Sequence, residues 1–258
     1  MTVHAAPDAA AHDTHATNAS LIELAGAVMP GAVLATFALP PDVAFVVSEG
    51  RGGSVIDVEG RSYVDYVMGS GPLILGHGHP AVVDAIVRQA ARGTHYYTLN
   101  EPAIRLAQRL VEAIPCAETV KFTSTGAEAT FQSLRLARAA TGRDAVLRFR
   151  GSYHGHHDYG LSAPSAGVPT SVTDTVVTGE FNDIDGTRSL VERHHGQLAA
   201  IIVEPFQRAI PPAPGFLESL RELCDEHGVL LVFDEVVTGF RLGWGGAQAR
   251  YGVTPDLA

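Results

Sequence analysis

Lysine is almost missing from this chain: Lys121 is the only one in 258 residues. Chemistry that depends on a positioned amine therefore has one internal candidate. Cysteine is nearly as scarce. Cys116 and Cys224 lie far apart in apolar contexts, which suits reduced, buried thiols in a cytoplasmic protein and excludes a disulfide framework. Basic runs are lacking too. The formal net charge is -10 and the arginines are scattered, so no nucleic-acid partner is expected. No apolar run approaches the ~18–20 residues that span a bilayer, and the first residues show no charged and apolar leader pattern, so no membrane association is expected.

What is present is apolar and well distributed. With 46% hydrophobic residues, the chain can bury a sizeable core. Residues 1–20 are rich in Ala, His, Thr and Asp without periodicity and read as a disordered lead-in, with His4, His12 and His15 part of a solvated tail. Short apolar runs recur at Thr119–Thr123, Ala145–Phe149, Thr175–Val177, Leu198–Val203 and Val229–Phe233. Between them lie helical patterns, such as Phe216, Leu220, Leu223 and His227, stopped by Gly228. This alternation predicts an α/β fold, a mostly parallel sheet with helices on both faces. Upstream, Val55–Asp57 and Tyr63–Tyr66 flank the turn signal Glu59-Gly60 and predict a small antiparallel hairpin. Pro80 and Pro102 each stand where a first helical residue would be; Gly93 closes the first of these helices and Ile114-Pro115 the second. The expected divisions are 1–20, an N-terminal segment over 21–70, and a larger domain over 71–258.

Chemistry is expected at the carboxyl ends of the strands, where open α/β sheets bind ligands. The run Val229–Phe233 ends in Asp234, and an ionised carboxylate there costs several kcal/mol unless it is paired or hydrogen-bonded. The run Thr119–Thr123 leads into Ser124-Thr125-Gly126-Ala127-Glu128, with capping-box spacing between Thr125 and Glu128. This is either a phosphate cup at a helix N-terminus or an ordinary capped helix. Gly151-Ser152-Tyr153-His154-Gly155-His156-His157 follows another buried strand. Its adjoining histidines lack the spacing of a zinc site, so no metal is expected, and Tyr153 or His154 is read as a platform for an aromatic ligand. His77-Gly78-His79 is read as a helix-entry turn. A phosphate cup, an aromatic platform and a buried carboxylate together describe a phosphorylated, cationic heteroaromatic, and pyridoxal 5'-phosphate fits.

Tyr63-Val64-Asp65-Tyr66, Gly71 to His77, Gly126 to Thr130, Leu134 to Arg138, Thr141 to Asp144, Tyr153 to His156, Val203-Glu204-Pro205, Gly215-Phe216-Leu217 and Asp234 to Arg241 follow one another in an order that resembles the class III pyridoxal-phosphate aminotransferases. Within them, the resemblance is to the glutamate-1-semialdehyde aminomutases and their relatives. It implies the large domain of the fold type I transferases, a cytoplasmic homodimer, and amino-group transfer between a small-molecule amino donor and a carbonyl acceptor. It implies that Thr125, Gly126 and Ala127 hold the phosphate, that Tyr153 stacks on the ring and that Val236 packs on the opposite face. Asp234 would pair with the pyridinium nitrogen and Glu204 would organise hydrogen bonds beside it. His154 would orient the cofactor hydroxyl or support its loop.

The departures from the family pattern carry expectations of their own. The resemblance places the Schiff-base lysine just after Asp256-Leu257, so the chain reads as a truncated member, without a small C-terminal domain and with negligible transamination by itself. The alternative is a non-catalytic remnant or one half of a split enzyme. Ala127 replaces a hydroxyl residue, Ser70 stands where the aminomutases tend to have Trp, and Val33 to Pro41 holds no arginine for a carboxylate clamp. Arg208 reads as a surface arginine or as a contact for a substrate carboxylate.

Overall fold

A computed structural model describes residues 16–34, 39–161 and 165–258, which fall into two units, Met1–His95 and Tyr96–Ala258. The first unit opens with α1 (Asn18–Val28), then a 3-10 turn over Pro30–Ala32, strands β1 (Val47–Arg51), β2 (Ser54–Asp57) and β3 (Ser62–Val64), and helix α2 (Pro80–Ala90). The three strands form an antiparallel sheet in the order β1-β2-β3.

The expected hairpin is β2 and β3, and Asp57 builds its turn. The buried carboxylate accepts from the Glu59 and Arg61 amides, Arg61 Nε, the Tyr63 hydroxyl and Asn18 Nδ2. Burial alone would raise its pKa; the bonds from Arg61, Asn18 and Tyr63 win and hold the carboxyl well below the usual range. Asn18 also accepts from the Val46 amide. That anchorage corrects the reading of the lead-in: residues 18–20 are helical, capped by Thr17, because Asn18 is tied to the hairpin. His4, His12 and His15 lie outside the described residues. Pro80 is the first residue of α2 and His79 its cap position, while His77 Nε2 meets Asp65 Oδ2 at 2.7 Å.

The second unit comprises α3 (Glu101–Ala113), α4 (Gly126–Thr141), β4 (Ala145–Phe149), the single turn α5 (Thr170–Thr173), β5 (Val176–Gly179), α6 (Ile184–Arg193), β6 (Leu198–Val203), α7 (Phe216–His227), β7 (Leu230–Phe233) and α8 (Gly246–Tyr251). Pro102 takes the second helical position of α3 rather than the first, because Asn100 caps one residue earlier by accepting from the Ala103 amide. The four strands are parallel in the order β5-β4-β6-β7. Side chains alternate between the two faces. Leu147, Phe149, Ile201, Val203, Leu231 and Phe233 pack with Val191 of α6 and Phe216, Leu220 and Leu223 of α7. Val146, Ala200, Ile202 and Val232 pack with Leu134 and Ala137 of α4. Burial on both faces explains why these strands are continuous apolar runs. Gly228 ends α7 in the left-handed region at φ 60°, and Arg143 donates to the carbonyls of Leu198, His227 and Gly228, joining that helix end to the start of β6.

Two expectations are corrected here. Thr119–Thr123 is not a strand; among the described residues no segment forms a ladder with it, and Phe122 is 47% exposed. An apolar run supplies propensity, but a strand also needs a hydrogen-bonded neighbour. Cys224 is buried as expected, whereas Cys116 is only half-buried, its amide donating to Gln248 Oε1. Beyond β7, Leu257 forms a parallel bridge to Val232 and its carbonyl accepts from the Phe233 amide at 2.9 Å, which extends the pairing along the outer edge of β7.

Candidate functional site

The carboxyl ends of β4, β6 and β7 lie side by side, and the residues that follow them converge. Asp234, after β7, donates its amide to the Val203 carbonyl of β6 at 2.8 Å, so sheet pairing itself places the carboxylate. Asp234 Oδ2 meets His154 Nδ1 at 2.7 Å, and both side chains are buried. A carboxylate only accepts, so the His154 Nδ1–H is the donor. Asp234 Oδ1 accepts from the Val236 amide at 3.2 Å. His154 is held through its backbone as well: its amide donates to the Gly160 carbonyl and its carbonyl accepts from the Thr130 hydroxyl of α4. Its other ring nitrogen, Nε2, is buried with no hydrogen-bond partner among the described residues.

Tyr153 is 39% exposed, its ring open to a ligand and its hydroxyl 2.6 Å from His156 Nδ1. Glu204, after β6, accepts from the Tyr153 amide at 3.2 Å. Burial pushes the Glu204 carboxyl above its ordinary range, while His154, the Tyr153 amide and Arg208 pull the other way. Its folded value therefore exceeds its unfolded one, so its contribution to stability is fully present below about pH 4.3 and is lost as pH rises through the folded value. Glu204→Gln keeps an acceptor for the Tyr153 amide and removes the titration. Urea unfolding is expected to find the variant equal to the wild type near pH 4 and more stable near pH 7; a difference that does not change with pH would refute this account of Glu204.

At the start of α4, Thr125 caps the helix: its hydroxyl accepts from the Glu128 amide at 3.1 Å. The return bond from Glu128 goes to the Ser124 amide at 2.7 Å, one residue before the position a capping box uses. The amides of Gly126 and Ala127 belong to the first turn, where no intrahelical acceptor exists. Two close packings bring this helix start to the other segments. A Cβ on Gly126 would lie 2.8 Å from Val236 Cγ2, and a Cβ on Gly155 would lie 2.5 Å from Ala127 Cα. Thus Thr125, Gly126, Ala127, Tyr153, His154, Glu204, Asp234 and Val236, all expected from the sequence, belong to one neighbourhood with Gly155. A cavity of about 320 Å³ adjoins it, lined in part by Thr130, Asp234, Val236 and Trp244.

Several contributors escaped the sequence reading. Thr130 bonds the His154 carbonyl. Glu235, beside Asp234, receives the Ala247 amide, the Thr238 hydroxyl and Gln248 Nε2 and so organises the start of α8; the Gly245-Gly246 pair at the cap and first position of that helix was the available signal. Arg208 is exposed, yet its Nε donates to the Gly151 carbonyl at 2.8 Å, while Gln207 donates to the Arg150 carbonyl. Both hold the loop that presents Tyr153. The three neighbouring histidines have different partners, His154 with Asp234, His156 with Tyr153 and His157 with Thr130. Lys121 is exposed.

Residues 38–258 match the profile of the family described as Aminotransferase class-III. A glutamate-1-semialdehyde 2,1-aminomutase of Roseiflexus castenholzii is 48% identical over 225 residues, 82% of this chain and 52% of that protein. The glutamate-1-semialdehyde 2,1-aminomutase 2 of Lysinibacillus sphaericus is 45% identical, with the same shares covered. The chain thus spans about half the length of these curated relatives. Among solved structures, an omega-transaminase from Sphaerobacter thermophilus superposes with a TM-score of 0.89 at 35% identity, covering 95% of this chain and 60% of that one. A glutamate-1-semialdehyde-aminomutase from Pseudomonas aeruginosa PAO1 superposes with a TM-score of 0.81 at 31% identity, covering 93% and 56%.

Proposed function

Because this chain belongs to the class III aminotransferase family, we propose that it carries the pyridoxal 5'-phosphate site of an enzyme that moves an amino group between an amine or amino acid and a carbonyl compound. Its second unit has the fold of the fold type I large domain, a parallel sheet flanked by helices. The observation that carries the reading is the buried Asp234–His154 pair at the carboxyl end of β7, beside an accessible Tyr153 and the start of α4.

The residues fit the group. Among the described residues Asp234 accepts from two donors, His154 Nδ1 and the Val236 amide, so its oxygens retain capacity for a protonated ring nitrogen. Tyr153 and Val236 are the flat and branched side chains for the two ring faces. Thr125, Gly126 and Ala127 offer a hydroxyl and first-turn amides to a phosphate. When bound, the cofactor supplies an electron sink for chemistry at the amino-bearing carbon. The Asp234 carboxylate would accept from a protonated ring nitrogen, and His154 would hold that carboxylate in one orientation. Glu204 would fix the Tyr153 backbone. The only lysine, Lys121, is exposed and precedes the helix start, so these residues would hold the cofactor by non-covalent contacts.

The partners in this reading are a small-molecule amino donor and carbonyl acceptor, together with a second copy of the polypeptide. Exposed Val237, Phe240 and Trp244, clustered after β7, support the second copy. Among the described residues no helix is long and apolar enough to cross a membrane.

Titration of the full chain with pyridoxal 5'-phosphate, followed by ring absorbance, then borohydride and intact mass, tests the proposal. Saturable binding with no borohydride-stable mass increment is expected. Absence of saturation would refute the cofactor assignment, and a stable increment on Lys121 would refute the non-covalent one.

A further inference from the structure

We propose that Arg148 anchors a second ligand site, for a small carboxylate monoanion, on the side of the sheet that carries α4. Arg148 lies in β4 opposite Thr178 of β5, on the same face as Val146, and is 3% exposed. Its one hydrogen bond runs from a terminal nitrogen to the Gly160 carbonyl at 3.3 Å, long for an N–H donor. Its Nε is buried without a partner among the described residues. Among them no carboxylate forms an ion pair with it and no aromatic ring lies over it; burial lowers the guanidinium pKa from its ordinary value.

Among the half-buried arginines, Arg138 Nη2 and Arg221 Nε also lack a partner among the described residues, but the charge of each arginine is met elsewhere. Arg143 donates to three carbonyls, Arg221 pairs with Asp225 and Asp256, and Arg138 bonds the Asp144 carbonyl and lies 4.0 Å above the Tyr159 ring. A buried charge left unpaired costs several kcal/mol, so a guanidinium that keeps most of its donors free inside the fold points to a missing anion.

The place for that anion is a cavity of about 140 Å³ lined by Arg148 with Ser165, Thr173 and Thr178, and by the exposed Asp158. A guanidinium fork matches a carboxylate bidentately; the Ser165 and Thr178 hydroxyls are donors for the same oxygens, while the Thr173 hydroxyl already donates to the Thr170 carbonyl. Asp158 sets the charge limit. Its carboxylate repels a dianion more than a monoanion, which favours a small carboxylate over phosphate. This site shares no residue with the cofactor reading and stands or falls apart from it.

Thermal unfolding and calorimetric titration of the full chain with acetate and pyruvate, against chloride at equal ionic strength, test the proposal. Saturable, carboxylate-specific binding is expected, at least tenfold weaker in Arg148→Met and unchanged in Asp234→Asn. Thr178→Val keeps the arginine and is expected to weaken binding several-fold, which covers the case in which Arg148→Met does not fold. Stabilisation by chloride equal to that by carboxylate, equal binding by wild type and Arg148→Met, or binding of inorganic phosphate alone would each overturn it.

Discussion

Asp234→Asn is expected to weaken pyridoxal 5'-phosphate binding by about 30-fold or more while costing the fold only about 1 kcal/mol. The asparagine side chain has the same shape, and its carbonyl oxygen can still accept from His154 Nδ1, the bond that measures 2.7 Å in the wild type; the longer bond from the Val236 amide is lost, because the asparagine NH2 then faces that donor. What it loses is the charge that a protonated ring nitrogen requires. Losing one partner of a buried, hydrogen-bonded charge pair at a binding site costs about 2–5 kcal/mol, and each 1.4 kcal/mol is about a factor of ten in affinity. Asp234→Ala separates the two effects. It removes the charge and also leaves His154, whose Nε2 already lacks a partner, with neither ring nitrogen bonded, which adds about 1–3 kcal/mol of destabilisation. Absorbance titrations and urea unfolding of both variants check this. A loss of less than tenfold in Asp234→Asn would show that the carboxylate is not what holds the ring.

The sequence revealed those parts of the site that depend on local pattern. Leu198–Val203 was legible to the residue because burial on both faces demands an unbroken apolar run, and Ala145–Phe149 because Arg148 alone interrupts one. Asp234 was legible because it interrupts such a run at its end. β1 was not, because Val47–Arg51 carries a glutamate and an arginine on an exposed edge and has no apolar pattern to read. Thr119–Thr123 misled for the opposite reason: its composition is that of a strand, but pairing depends on a neighbour that composition does not report. The His154–Asp234 bond joins residues 80 apart, and only the order β4-β6-β7 makes it possible. Sequence reasoning placed both residues in the site and left the role of His154 open between the cofactor and the loop; the geometry gives it a carboxylate to hold.

The same dependence on long-range packing makes Gly155 the most sensitive backbone position of the site. Its φ is +106°, and a Cβ there would lie 2.5 Å from both Cα and Cβ of Ala127. Gly155→Ala therefore carries two penalties: overpacking, which costs about 1–3 kcal/mol, and a left-handed backbone with a side chain, which costs about 1 kcal/mol more. Gly142→Ala, at φ +66° with open space around it, carries only the second. Unfolding experiments are expected to rank Gly155→Ala below Gly142→Ala by the size of the first. Adding Ala127→Gly should restore little, because the Ala127 backbone is as close as its side chain. The clash also has a direction. It pushes on the first turn of α4, where the Gly126 and Ala127 amides wait for a phosphate, and leaves Asp234 in place. Gly155→Ala should thus weaken pyridoxal 5'-phosphate far more than pyridoxal, whereas Asp234→Asn should weaken both alike. Equal losses for the two ligands in Gly155→Ala would mean that the helix start does not hold the phosphate.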